Sequence, residues 1–327
     1  MARGTDMEKL KDELVEACAW GEESRARALV SRLGEQPRKA GALLESMLEA
    51  PDARVRQAAV FGLGELGGAA SASRLERQLV LEEARENHDG ASVAEAITLA
   101  LGRLKDAGAR ASLVRRLERL VASKADPVDV NMVACSLWKL RHPDLLPTVQ
   151  RSLELLAMPA PGCLRGLRVL LEKSPEQLRA WARESAAPIE DKTGVLAVLE
   201  QELPEALLPT LSAFISAAHA LLKTVVGQSD GRDPIAYHCE CLASLLVRHR
   251  EQALLALPEE VRAELRELTR LLIVTTAPNS SLRAAVLLQF VGHSEDAAFL
   301  EAHRPTEPIL ATVFDEAARV LRHLQTA

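Results

Sequence analysis

Aromatic residues are scarce: three Trp, one Tyr and five Phe in 327 residues. Cysteine is scarce too, and five thiols in so long a chain exclude a disulfide scaffold. Cys18, Cys135, Cys163, Cys239 and Cys241 are an odd number and sit mostly amid apolar residues, as reduced core thiols do. Gly and Pro follow no period, which excludes collagen. No segment reaches the roughly 18 uncharged apolar residues of a membrane span. The N-terminal MARGTDMEKLKDELVEA meets charge before a signal-peptide core could form, so the expected location is the cytoplasm, with no membrane. Met7 is a second candidate start, which would leave residues 1–6 as an extension. Motifs with chemistry are missing as well: no G-x-x-x-x-G-K-[ST] loop, no HExxH helix and no G-x-S-x-G elbow. Gly62-Leu63-Gly64 has dinucleotide-like spacing but lies inside a helical pattern, where packing explains it.

What is present is a chain that is 48% hydrophobic, too apolar for disorder, with a net charge of -6 that repels polyanions at long range. Apolar residues recur at three- and four-residue spacing, broken every fifteen or so residues by Gly, Pro or Asp, so the fold class is all-α. Helix starts are written at Thr5-Asp6-Met7-Glu8 and Ser174-Pro175-Glu176-Gln177, both with capping-box spacing. Further starts are expected at Pro51-Asp52, Asp126-Pro127, Leu203-Pro204, Asp233-Pro234 and Leu257-Pro258.

The segment DARVRQAAVFGLGELGG is followed by SVAEAITLALGRLKDAG, in which Val55, Ala59, Leu63 and Gly64 become Val93, Ile97, Leu101 and Gly102, 38 residues on. A third copy, VDVNMVACSLWKLRHPD, sets Val133, Leu137 and Leu140 36 residues beyond Ile97, Leu101 and Leu104, and SSLRAAVLLQFVG is a fourth. Each copy leads into a second amphipathic stretch. A helix pair of this length cannot bury its apolar face alone, so pairs stack into an α-solenoid of antiparallel helix pairs. The clearest repeats are 52–85, 92–124, 128–157 and 279–303, with divergent pairs over 161–258 and a capping helix over 307–325, all in one array spanning 1–327. Small residues such as Ala58, Ala59, Gly62 and Gly64 let helices approach closely, which accounts for the low aromatic count.

At Asp52-x-x-Val55-Arg56-x-x-Ala59-x-x-x-Leu63-Gly64-x-Leu66 the chain resembles the HEAT-repeat family, in particular the bacterial HEAT-like repeats related to those of phycobiliprotein lyases. The resemblance covers roughly half the chain. It implies a ladder of Asp and Arg along the inner layer; Arg56 and Arg283 fit it, whereas Ala94 and Asn131 stand at the corresponding positions. Trp138 replaces the glycine of Gly64 and Gly102, so stacking is expected to be less regular there.

Two constellations bear on chemistry. His238-Cys239-Glu240-Cys241, with His249 beyond, is the densest set of soft ligands, but the two cysteines fall on different faces of one helix and no second pair follows at zinc spacing. No metal and no cofactor is therefore expected; the cysteines pack inward and the histidines are solvated or capping. Between residues 101 and 124, Arg103, Lys105, Arg110, Arg115, Arg116, Arg119 and Lys124 face only Asp106 and Glu118. In a solenoid such a stripe can bind phosphates or an acidic peptide, or it can be a solvated face paired with nearby Glu. A weaker group follows in Arg165, Arg168, Lys173, Arg179 and Arg183, and Trp138 and Trp181 lie near as aromatic contacts.

The leading expectation is a non-catalytic scaffold or adaptor whose repeat surface binds another protein. The alternative is a nucleic-acid or phospho-ligand module using the 103–124 stripe. A third is a HEAT-like enzyme such as a DNA glycosylase, which the negative charge and the single Tyr oppose.

Overall fold

The computed structural model describes residues 2–156, 159–225, 234–275 and 278–323, with the side chains of 2–6, 225 and 278–280 outside that description. Every described element is helical, as the apolar periodicity requires. The chain divides into two compact units, Met1–Pro161 and Gly162–Ala327, where the repeat pattern leads one to expect a single array.

In the first unit the helices are α1 (Ala2–Ala19), α2 (Glu23–Gly34), α3 (Pro37–Leu48), α4 (Ala53–Leu66), α5 (Gly68–Glu83), α6 (His88–Arg103), α7 (Ala107–Ser123), α8 (Pro127–Lys139) and α9 (Leu145–Leu155). The repeats read over 52–85, 92–124 and 128–157 fall on α4–α5, α6–α7 and α8–α9. Sequence neighbours pack, α5 on α6 and α7 on α8, and so do alternate helices: α4 lies on α6 and α6 on α8, while α5 lies on α7 and α7 on α9.

Local chemistry sets these starts. Asp52 accepts from the Arg54 N–H at 2.8 Å, Asn87 from Gly90 at 2.7 Å and Asp126 from Val128 at 2.8 Å, each satisfying an amide that the first helical turn leaves unpaired. The core then follows from period. Leu63, Ile97, Leu101, Val133 and Leu137 are fully buried, each contributing about 1.5–3 kcal/mol.

Glycine sets how near the helices come. A Cβ on Gly64 would lie 3.1 Å from Ala100 Cβ, and one on Gly102 would lie 2.9 Å from Ser136 Cβ. These are the same contact made twice, one repeat apart. At the next such position stands Trp138, buried, with the Arg141 guanidinium 4.7 Å from its ring centroid.

The second unit contains α10 (Gly162–Glu172), α11 (Pro175–Arg183), α12 (Ile189–Gln201), a 3-10 helix (Glu205–Thr210), α13 (Leu211–Val225), α14 (Pro234–Arg248), α15 (Arg250–Ala253), α16 (Glu259–Thr275), α17 (Pro278–Val291), α18 (Asp296–Ala302) and α19 (Pro308–His323). The fourth repeat, 279–303, falls on α17–α18, and the capping helix expected over 307–325 is α19, Pro308–His323, which packs on both; residues 324 and 325 lie outside the described residues. The expected capping box at Ser174 is complete: Gln177 N–H donates to Ser174 Oγ at 3.3 Å, and the Ser174 N–H donates to Gln177 Oε1 at 2.9 Å. Leu203-Pro204 and Leu257-Pro258 precede the 3-10 helix and α16. The start expected at Thr5-Asp6 falls inside α1, which begins at Ala2; the side chains of Thr5 and Asp6, and Asp233, lie outside the described residues.

One segment departs from the hydropathy reading. Glu205–Thr224 is long and apolar enough, by length and composition, to cross a membrane. Leu211, Phe214, Ile215, Ala218 and Leu222 along it are buried against the rest of the second unit, so packing accounts for its apolarity.

Candidate functional site

The basic stripe of α6 and α7 does not form one face. Arg103 is exposed near the end of α6, its guanidinium carbon 5.7 Å from the Phe61 ring centroid. Lys105, in the turn between the helices, has a positive φ of 46°, and Lys124 caps α7 with φ 53°. Arg110 is half-buried in the first turn of α7. Arg115 and Arg119 point at α5: Arg115 pairs with Glu76, and Arg119 donates to Glu83 from Nε at 2.8 Å. The same kind of seam lies one repeat earlier, where Glu45 of α3 meets Arg74 at 3.3 Å and Arg77 at 3.5 Å of α5. Cations of one second helix thus face carboxylates of the one before it.

Arg116 is different. It is only 3% exposed, and Nη1 donates to the Ala94 carbonyl at 2.5 Å and to Thr98 Oγ1. Glu83 and Asp129 approach it more loosely, at 3.6 and 3.7 Å. Burial pulls its pKa down, opposed by those two carboxylates. Its counterpart in the preceding repeat is not an arginine but Gln78, 38 residues earlier. There the guanidinium comes from the first helix: Arg56 donates to Glu82 at 2.8 Å and to the carbonyls of Ala50 at 2.9 Å and Pro51 at 2.7 Å, and Glu82 also accepts from Gln78 at 2.6 Å. Ala94 stands at the position of Arg56, and Arg116 reaches its carbonyl from the opposite helix. The register between Gln78 and Arg116 was the sequence signal that separates Arg116 from its neighbours.

Beside Arg116 opens a cavity of about 600 Å³, its wall shared by Glu83, Glu86, Asn87, Arg119 and Asp129. Arg116 Nε and Glu83 Oε1 are buried without a hydrogen-bond partner. Carboxylates and guanidinium groups alternate on the wall, which suits a polar group with both donors and acceptors more than a polyanion.

The second unit engages part of the weaker basic group internally. Asp191 pairs with Arg165 at 3.0 Å and Arg168 at 3.4 Å, while Arg179 and Arg183 are exposed. A matching clamp near the C-terminus joins Arg266 and Arg270 to the buried Asp296 at 2.6 and 2.7 Å. Trp138 and Trp181 are 3% and 8% exposed, so both rings are packing residues rather than open platforms.

The soft-ligand cluster lies on α14. Cys239 packs inward, but His238, expected at the surface, is fully buried, with Nδ1 3.1 Å from Thr193 Oγ1. Burial first, then Lys192, pushes its pKa down to about 4. That partner lies 45 residues away, so nothing local in the sequence marks the burial. Among the described residues no group of three His, Cys, Asp or Glu could hold a metal ion.

No protein-family model matches the chain, and no curated protein matches it. Among solved structures it is similar to an engineered protein from a structural genomics consortium, at 13% identity over 97% of this chain and 99% of that one, with a TM-score of 0.29.

Proposed function

We propose that the chain is a non-catalytic scaffold or adaptor of the cytoplasm that binds another protein, and that the helix pairs of each unit stack as an α-solenoid of HEAT-like repeats. The stacking reading is supported by the contact that Gly64 makes with Ala100 and Gly102 repeats with Ser136. The observation that carries the choice of partner is the charge seam. Arg115, Arg116 and Arg119, the heart of the basic stripe, are matched to Glu76, Glu83 and backbone or hydroxyl oxygens of their own unit. A phosphate would have to displace those carboxylates, against a net charge of -6.

A second reading, a nucleic-acid or phospho-ligand module, is favoured by Arg103, Lys105, Arg110 and Lys124, which make no ion pair among the described residues. Binding isotherms on duplex and single-stranded DNA and RNA near about 0.15 M salt separate the two. A scaffold binds them weakly and without sequence preference, and retains a protein partner on affinity purification from its native cell. Micromolar or tighter nucleic-acid binding, lost in the Arg103→Glu/Arg110→Glu double variant with the helical circular dichroism intact, overturns the scaffold reading.

A further inference from the structure

The first unit also has an apolar groove that the scaffold reading does not use. It is walled by α1, α2, α4 and α6, with Ala17, Ala26, Val60, Phe61, Ala96 and Leu99 among its lining, and opens to solvent with a volume of about 320 Å³. Leu99 is 37% exposed, a large side chain left partly uncovered on the groove wall. The size and lining match the lower end of small-ligand sites, which are mostly apolar with one or two polar groups that fix orientation.

Charge decides what kind of ligand. Two ionised residues line the groove, Glu23 and Arg103. Glu23 is engaged by Arg27 at 2.6 Å. Arg103 rests over the Phe61 ring and makes no ion pair among the described residues. The charge left uncompensated at the groove is therefore positive, beside an aromatic ring and apolar walls. An anion with an apolar body satisfies both; a neutral hydrocarbon leaves the guanidinium unused, and a cation is repelled by it.

We propose that this groove is a binding site for a free medium-chain carboxylate, whose chain lies along Val60, Ala96 and Leu99 and whose carboxylate pairs with Arg103. The volume corresponds to about ten water-sized groups, which is about the heavy-atom count of an eight-carbon fatty acid. This site does not rest on the scaffold reading, and it shares Arg103 with the nucleic-acid reading.

The test uses the full chain with octanoate, and with octan-1-ol and octylamine as neutral and cationic partners of equal chain length. Calorimetry should give saturable octanoate binding with a Kd on the order of 1 mM or tighter. Octan-1-ol and octylamine should bind at least about tenfold more weakly, and Arg103→Gln should weaken octanoate by a similar factor. Ala96→Phe, at a half-exposed position on the groove wall, should abolish binding by filling the space. Cys18, which lines the groove, is an internal reporter: octanoate should slow its alkylation, read by peptide mass spectrometry, without slowing that of Cys163. Equal affinity for octanoate and octan-1-ol, or unchanged octanoate affinity in Arg103→Gln, overturns the carboxylate assignment. Absence of saturable binding, or no protection of Cys18, overturns the site itself.

Discussion

The pair α4–α5 and the pair α6–α7 carry the same helical pattern, yet each buries its guanidinium from the opposite side. In the first, Arg56 comes from the leading helix and meets a buried carboxylate, Glu82. In the second, Arg116 comes from the trailing helix and meets a carbonyl and a hydroxyl, with its carboxylates further off. A repeat therefore specifies a polar bridge between its two helices without specifying which helix supplies the charge. The energetic consequence differs, because removing one partner of a close buried ion pair strands a charge, whereas removing a donor from neutral oxygens strands only dipoles.

The largest expected effect follows from that difference. Arg56→Met leaves Glu82 with Gln78 and the partly exposed Arg85, and should cost about 3–5 kcal/mol in urea unfolding. A cost below about 1 kcal/mol would show that Glu82 needs no guanidinium from α4.

Next comes acid, which should act on the second unit through His238. An unfolded imidazole takes its proton near pH 6.5, the folded one only near about 4. Between those values the unfolded state holds more protons, so stability is complete above 6.5 and falls as pH falls. The loss reaches about 3 kcal/mol below the folded pKa. Urea unfolding at a series of pH values, followed by circular dichroism, reads it, and His238→Gln should flatten the pH dependence. An unchanged slope in that variant would place the acid sensitivity elsewhere.

Arg116→Met should cost less than Arg56→Met, about 1–3 kcal/mol, since Glu83 keeps Arg119. If Arg116→Met proves the costlier, the contrast between the two pairs is reversed. The smallest effects belong to the seam: Arg115→Ala and Arg119→Ala remove exposed ion pairs and should each stay below about 1 kcal/mol, shrinking further in high salt.

Much of the fold was legible because its causes are local. Asp52, Asp126 and Ser174 cap helices with atoms two or three residues away, and Leu63, Leu101 and Leu137 mark a core face by period alone. Helical spacing puts Arg115 and Arg119 on one face and Arg116 about 100° away, but does not say which face points inward. Resolving that takes Ala94 and Thr98, on another helix and 22 and 18 residues away. The burial of His238 depends in the same way on a residue far along the chain, and Arg103, adjacent in sequence to the stripe, has as its neighbours in space Phe61 and the α1–α2 end of the groove.

Trp138 bears on how such a chain can lengthen. Gly64 and Gly102 each leave room for the next leading helix, at Ala100 and at Ser136. Inserted between α7 and α8, a copy meets Gly102 and finds that vacancy ready. Placed after α9, a copy would meet at the corresponding position a buried indole with Arg141 over it, in place of a vacancy.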